Sequence, residues 1–248
     1  MTSELPLVVA SGIILTILLI TVIRDLIVKA RQNARYDEEQ RVAEFRKGAT
    51  LLWLMTAVAV GGWLIAGKSF AELGFIAPSG TNAWIAWAIA GAGVAYLSYS
   101  LYGVSASEDT RKQVRASLDQ NQLDVLQPTT PRGFRAFQTL SVTAGITEEV
   151  IFRGFAIGVL AIWLPTWAAA VIPLAIFCLA HAYQGWQRIV QIVPIGTLLT
   201  IMFLITGSLL PGIVLHIAAD VFGGWIIWRA TAGSSRSARQ DPALVTGD

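Results

Sequence analysis

Glu148 and Glu149 stand side by side in an otherwise apolar stretch, with Arg153 one helical turn beyond. The chain has two histidines, His181 and His216, and each also falls in an apolar stretch. A carboxylate near an imidazole supports two chemistries. In one, Glu148 takes a proton from water and the water attacks an amide carbonyl. An imidazole then shares the proton transfer or donates to the developing oxyanion. In the other, Glu and His ligate a zinc ion whose bound water attacks. These residues alone leave both open. The plainer reading is that the charges only lock helices together and the histidines are hydrogen-bonded core residues.

Helical spacing sorts the partners. Glu149 and Arg153 are i and i+4, about 40° apart around a helix. Glu148 lies about 140° from Arg153. The spacing predicts that Arg153 neutralises Glu149 and leaves Glu148 free. His216 and Asp220 share the same i, i+4 relation and are expected to pair on a separate helix face. Phe177 precedes His181 by one turn and would wall off its imidazole. Cys178, the single cysteine, excludes an internal disulfide and a multi-cysteine metal site. It is expected to be a packing residue rather than a nucleophile.

The elements that must position these residues are membrane helices. Of the 248 residues 54% are hydrophobic and 14% charged, against about 25% charged in an ordinary soluble domain. Mean hydropathy is +0.60. The charges are clustered, leaving uncharged runs at 5–23, 48–67 and 73–107. A bilayer core needs about 20 apolar helical residues, and its lack of water forces backbone groups to bond within the helix. Seven spans are expected, at about 5–23, 49–67, 82–103, 137–161, 165–183, 189–206 and 209–229. The first is read as a retained helix, because no basic segment precedes it. The chain is therefore an all-α, polytopic helical bundle.

Basic residues orient it. Loops 24–48 and 104–136, the short loop 184–188 and the tail after Arg229 carry most Lys and Arg. Seven spans with the N-terminus outside put all of them on the cytoplasmic side, the C-terminus included. Trp53, Trp63, Trp84, Trp163, Trp167, Trp186 and Trp228 fall near predicted ends, as an interfacial belt would. Trp87 and Trp225 sit deeper and are expected to pack internally. A net charge of +2 suggests no nucleic-acid partner. Intramembrane charges such as Glu148, Glu149 and Arg153 cost about 2.5–3.5 kcal/mol each at mid-helix, so they must pair, face the interior or meet water.

Three motifs carry a family resemblance. Glu148-Glu149-Val150-Ile151-Phe152-Arg153 fits EExxxR, Phe177 to His181 fits FxxxH, and His216 to Asp220 fits HxxxN/D. In this order on the fourth, fifth and seventh spans, they resemble the CPBP family of CAAX prenyl proteases and bacteriocin-processing and immunity proteins. The resemblance covers about residues 120–229. It includes a Pro-containing lead-in from Gln127 to Phe137 and, upstream, Glu72-Leu73-Gly74-Phe75. It implies a glutamic intramembrane endopeptidase without a required cofactor, zinc remaining open. By that resemblance Glu148 and His181 activate water, His216 and Asp220 stabilise the oxyanion, and Glu149, Arg153 and Phe177 support them. Asp220 stands where CAAX prenyl proteases have Asn, and an ionised Asp cannot donate. The implied partners are a peptide or lipidated protein substrate and membrane lipids, in a bacterial cytoplasmic membrane. The expected organisation is N-terminal membrane helices and charged loops (1–119), a catalytic core (120–229) and a disordered tail (230–248).

Overall fold

The computed structural model describes residues 4–31, 37–120, 128–182 and 186–231. Among them there is no strand. The helices are α1 (Leu5–Arg31), α2 (Glu38–Ile65), α3 (Gly80–Ala106), α4 (Glu108–Gln120), α5 (Pro131–Glu148), a π-helical segment (Glu149–Ala156), α6 (Ile157–Leu160), α7 (Thr166–Ala180), α8 (Trp186–Thr206) and α9 (Leu210–Thr231). The all-helical expectation agrees with this. Most of the predicted tail and part of loop 184–188 lie outside the described residues.

Among the described residues, five helices are long and apolar enough to cross a membrane: residues Leu5–Arg24 of α1, then α2, α3, residues Ile189–Thr206 of α8, and α9. Large apolar side chains such as Leu19, Trp84, Tyr96 and Trp167 point outward, as lipid contact requires. Small residues face inward. Ala83, Ala86 and Ala90 are the buried face of α3, and a Cβ on Gly93 would meet Leu215 of α9 at 2.5 Å. Close approach of small residues is how helices associate in lipid.

Several helices outrun the expected spans. Asp37 and Gln40 form a capping box that starts α2 eleven residues before the expected residue 49. Arg41, Arg46 and Lys47 therefore sit on a helix rather than a loop. At α5 the Thr130 side chain accepts from the Gly133 amide and Pro131 follows it, a helix start by side-chain capping and a pre-set φ. Both ends meet at Glu38, whose carboxylate accepts from the amides and hydroxyls of Thr129 and Thr130. That ties the N-terminus of α2 to that of α5.

The expected uniform helix over 137–161 is instead a continuous rod from 131 to 160 with a π-helical interior. Hydrogen bonds there run i to i+5, a form often found at functional sites. The segment is buried from Glu149 to Phe155. Below it lies the turn holding Leu73 and Gly74. Gly74 has φ +102° and its carbonyl accepts from the Leu209 amide at 2.9 Å. A Cβ on Gly154 would come within 2.6 Å of the Leu73 carbonyl oxygen. The Glu72–Phe75 element thus packs directly beneath the charged segment.

The tryptophans only partly follow their expected places. Trp53, Trp84, Trp163 and Trp167 are exposed. Trp63 is buried instead, its indole N–H donating to the Ser69 carbonyl at 2.9 Å. The turn after α2 folds back and gives that N–H an internal acceptor. Trp87 and Trp225 are partly exposed rather than enclosed, though Trp225 packs edge-on against Phe134 at 4.6 Å.

Candidate active site

Four elements converge on one buried polar cluster. The rod contributes Glu148, Glu149 and Arg153, α7 ends on Phe177 and His181, α8 offers a backbone carbonyl, and α9 brings His216 and Asp220. Glu149 is at its centre. Its Oε1 accepts from Arg153 Nη1 at 3.0 Å and from His216 Nδ1 at 2.8 Å. Both Glu149 and Arg153 side chains are 1% exposed. The second guanidinium arm, Nη2, donates to the Gly196 carbonyl at 3.1 Å, and the Arg153 guanidinium lies 4.5 Å from the Phe177 ring centre. A buried arginine needs this combination of opposite charge, carbonyl and aromatic face. On the far side of Glu149, a Cβ on Gly212 would stand 3.2 Å from Oε2.

The Glu149–Arg153 ion pair lies where the i, i+4 spacing places it. His216 and Asp220 lie within ion-pair distance, as their i, i+4 spacing expects, but their face is not separate from the glutamates. His216 hydrogen-bonds Glu149, while Asp220 Oδ2 is 3.8 Å from His216 Nε2. The packing of α9 against α5 turns His216 into the cluster, which sequence spacing within α9 does not encode.

Glu148 is left without a hydrogen bond among the described residues. Its Oε2 lies 3.7 Å from His216 Nε2, and its side chain is 13% exposed. His181 is within electrostatic range of it, as are Asp220 and Arg153. Asp220 is the most open member, at 36% side-chain exposure.

The bonding partners fix one imidazole and constrain the other. His181 Nδ1 lies 2.8 Å from the Phe177 carbonyl. A carbonyl only accepts, so Nδ1 carries the proton and neutral His181 presents the Nε2 lone pair. His181, placed in the last turn of span 165–183, is the C-terminal cap of α7. His216 donates from Nδ1 to a carboxylate, so its Nε2 faces Glu148 and Asp220. Phe177 contacts both rings, at 5.0 Å from His181 and 6.1 Å, edge-on, from His216. Cys178 is a buried core residue beside it. Among the described residues, no three His, Cys, Asp or Glu groups are arranged to hold a metal ion.

Sequence reasoning did not single out Gly196, Gly212 or Phe152. Gly196 supplies the carbonyl for Arg153, Gly212 gives room for Glu149, and Phe152 packs edge-on against Phe177 at 5.3 Å. A glycine in an apolar run has no signature of such a contact.

This cluster falls within one recognised segment. Residues 132–222 match the family model described as type II CAAX prenyl endopeptidase Rce1-like. That segment is similar to the Rce1-like family. It includes every residue of the cluster and runs from the first turn of α5 into α9. No curated protein and no solved structure matches the chain. The apolar helices and this similarity support a multi-pass membrane protein, and the family that the segment resembles is one of peptidases. The prenylated or otherwise membrane-associated peptide is the substrate class that the family description implies.

Proposed function

We propose that the protein is an intramembrane endopeptidase in which Glu148 is the general base and Glu149 is a positioning residue. The division of hydrogen bonds between the two carboxylates carries this reading. Glu149 accepts hydrogen bonds from both Arg153 and His216, whereas Glu148 faces the same imidazole with no hydrogen bond among the described residues.

The reaction follows from those roles. Glu148 takes a proton from water, and the water oxygen forms a bond to the amide carbonyl carbon. The carbonyl π electrons move to oxygen, giving an oxyanion. Its collapse breaks the C–N bond, and the proton on Glu148 passes to the leaving amine. His181 Nε2 has the lone pair to accept from the attacking water. His216 Nε2 can donate to the oxyanion only as the imidazolium, since Nδ1–H is committed to Glu149. Asp220, acceptor-only when ionised, serves by orienting or charge-balancing His216 rather than donating.

The substrate is a membrane-associated or lipidated peptide. The seven-span arrangement with the N-terminus outside and the C-terminus cytoplasmic completes the picture. It counts the rod 131–160 and the 15-residue α7 as spans beside the five long apolar helices. The membrane is the bacterial cytoplasmic membrane.

The test uses purified protein and a farnesylated peptide ending in Cys-aliphatic-aliphatic-X. Glu148→Ala and His181→Ala should each abolish cleavage while the protein still inserts and elutes as wild type. Normal cleavage by both variants would overturn the assignment and favour a non-catalytic, partner-binding or immunity role. Loss of wild-type cleavage to a chelator, restored by zinc, would replace the metal-free mechanism. Comparing membrane peptides of cells carrying wild type or Glu148→Ala would identify the native substrate.

A further inference from the structure

A second polar feature lies at the opposite end of the rod. α2 and α5 enclose a cleft of about 580 Å³, lined by Phe45, Arg46, Thr50, Arg132, Arg135 and Thr139 among others. No acidic side chain lines it. Among the described residues, none of the three arginines has a carboxylate partner. The nearby acids are engaged elsewhere: Glu44 with Arg24 and Lys47, and Glu38 with Thr129 and Thr130. Arg132 and Arg135 also occupy the first turns of α5, where the helix dipole favours an anion.

The cleft continues into an apolar surface. On α2, Arg46, Ala49, Thr50 and Trp53 are spaced i, i+3, i+4 and i+7, so they share one face. On α5, Arg135, Thr139 and Val142 do the same. Trp53 and Val142 are both exposed. Charge at one end and exposed apolar groups one turn further on describe an amphiphile whose anionic head meets the arginines.

We infer that this cleft binds the anionic phosphate headgroup of a membrane phospholipid, with an acyl chain running along Trp53 and Val142. Arg135 and Glu148 are about 20 Å apart along the helix, so the lipid site does not overlap the cluster at Glu148. It also stands independently of the peptidase reading. Arginine matches phosphate through paired N–H donors. Three of them explain a preference for an anionic over a zwitterionic lipid, since each surface charge is worth about a fivefold change in affinity.

The experiment measures tryptophan quenching of the full chain in mixed micelles containing brominated phosphatidylglycerol or brominated phosphatidylcholine. Phosphatidylglycerol should quench at a several-fold lower mole fraction. Trp53→Phe should remove most of that preferential component, locating it. Arg135→Gln should weaken the preference about fivefold, and Arg46→Gln/Arg132→Gln/Arg135→Gln should abolish it. Arg135→Lys, which keeps the charge, should retain most of it and guards against misfolding of the triple variant. Equal quenching by both lipids, or a preference unchanged in Trp53→Phe and Arg135→Gln, overturns the site. Loss of quenching on adding inorganic phosphate at millimolar concentration assigns the cleft to a free oxyanion and overturns the lipid.

Discussion

Nδ1 of His216 lies 2.8 Å from Oε1 of Glu149, a bond between residues 67 positions apart. It joins the last helix to the π-helical segment and commits one of two adjacent glutamates to structure. The neighbouring Glu148, at 3.7 Å from the other nitrogen of the same ring, has no hydrogen bond among the described residues and is the carboxylate we propose as the base.

Removing Glu149 should be a stability lesion. Glu149→Ala strands Arg153 and His216 in the core, at a cost of about 3–5 kcal/mol. Arg153→Ala should cost a similar amount. Replacing both with leucine should be milder than Glu149→Ala, because the guanidinium is then no longer left unpaired and only His216 loses its partner. Unfolding in detergent, followed by heat or denaturant, measures all three. Additive losses would show that the ion pair is not the coupled unit described above.

Glu148→Gln should differ in kind. It keeps the volume and polarity but removes the base, so kcat should fall by about 100- to 10,000-fold with unfolding unchanged. Steady-state cleavage beside a thermal melt separates this from the Glu149 variants. A Glu148→Gln protein that cleaves normally would return the base assignment to another group.

Gly154→Ala should loosen the floor of the site. Its new methyl would enter to within 2.6 Å of the Leu73 carbonyl oxygen, a backbone atom that cannot rotate away. Overpacking of this kind costs about 1–3 kcal/mol. Cleavage should weaken too, since the strained segment carries Glu149 and Arg153. Gly223→Ala, whose Cβ meets nothing within 4 Å, is the matched control in the melt.

The clamp at Glu38 predicts a coupled pair. A Cβ on Gly133 would overlap Glu38 Oε1, so Gly133→Ala should destabilise by displacing that carboxylate. Glu38→Ala should itself cost about 1.5–3 kcal/mol, the range for hydrogen bonds to a charged group. In the Glu38→Ala background, the further cost of Gly133→Ala should nearly vanish. A double-mutant cycle on unfolding free energies reads the coupling.

α4 should loosen in acid. Hydrogen bonds from Arg115 and Arg111 hold the Glu108 carboxyl below the usual glutamate range. A group whose folded pKa is lowered stabilises above its unfolded pKa, and that contribution is lost as pH falls through the folded value. Arg115 also donates to the Ala230 carbonyl at 2.8 Å, linking α4 to the end of α9. Amide exchange in α4 should therefore rise as pH drops below the ordinary glutamate range, after correction for intrinsic rates. Glu108→Gln should show the faster exchange already at neutral pH and little further change.

Much of the helical plan was legible because lipid imposes a simple rule on sequence. Runs such as 5–23 and 82–103 must be helices once they are in a bilayer, and α1 and α3 contain them. Helix starts were less legible. Asp37-x-x-Gln40 is a capping signal, but hydropathy places the boundary where charge ends, near residue 49, not where the hydrogen-bonding begins. Trp63 shows the same gap: proximity to a helix end predicts an interface, but the turn after α2 provides an internal acceptor.

The sequence by itself determined which residues could react and which local pairs were possible. Residue type marks Glu148, Glu149, His181 and His216 as misfits in apolar helices, and i, i+4 spacing is enough to bring Arg153 to Glu149. Only the tertiary structure decided how the pairs share partners. Which face of α9 meets the rod depends on packing of small residues along whole helices, and that packing gives His216 to Glu149 rather than to Asp220 alone. The π-helical segment likewise departs from the 100° rule on which spacing arguments rest. Local periodicity describes one helix at a time, whereas the site exists where four elements touch.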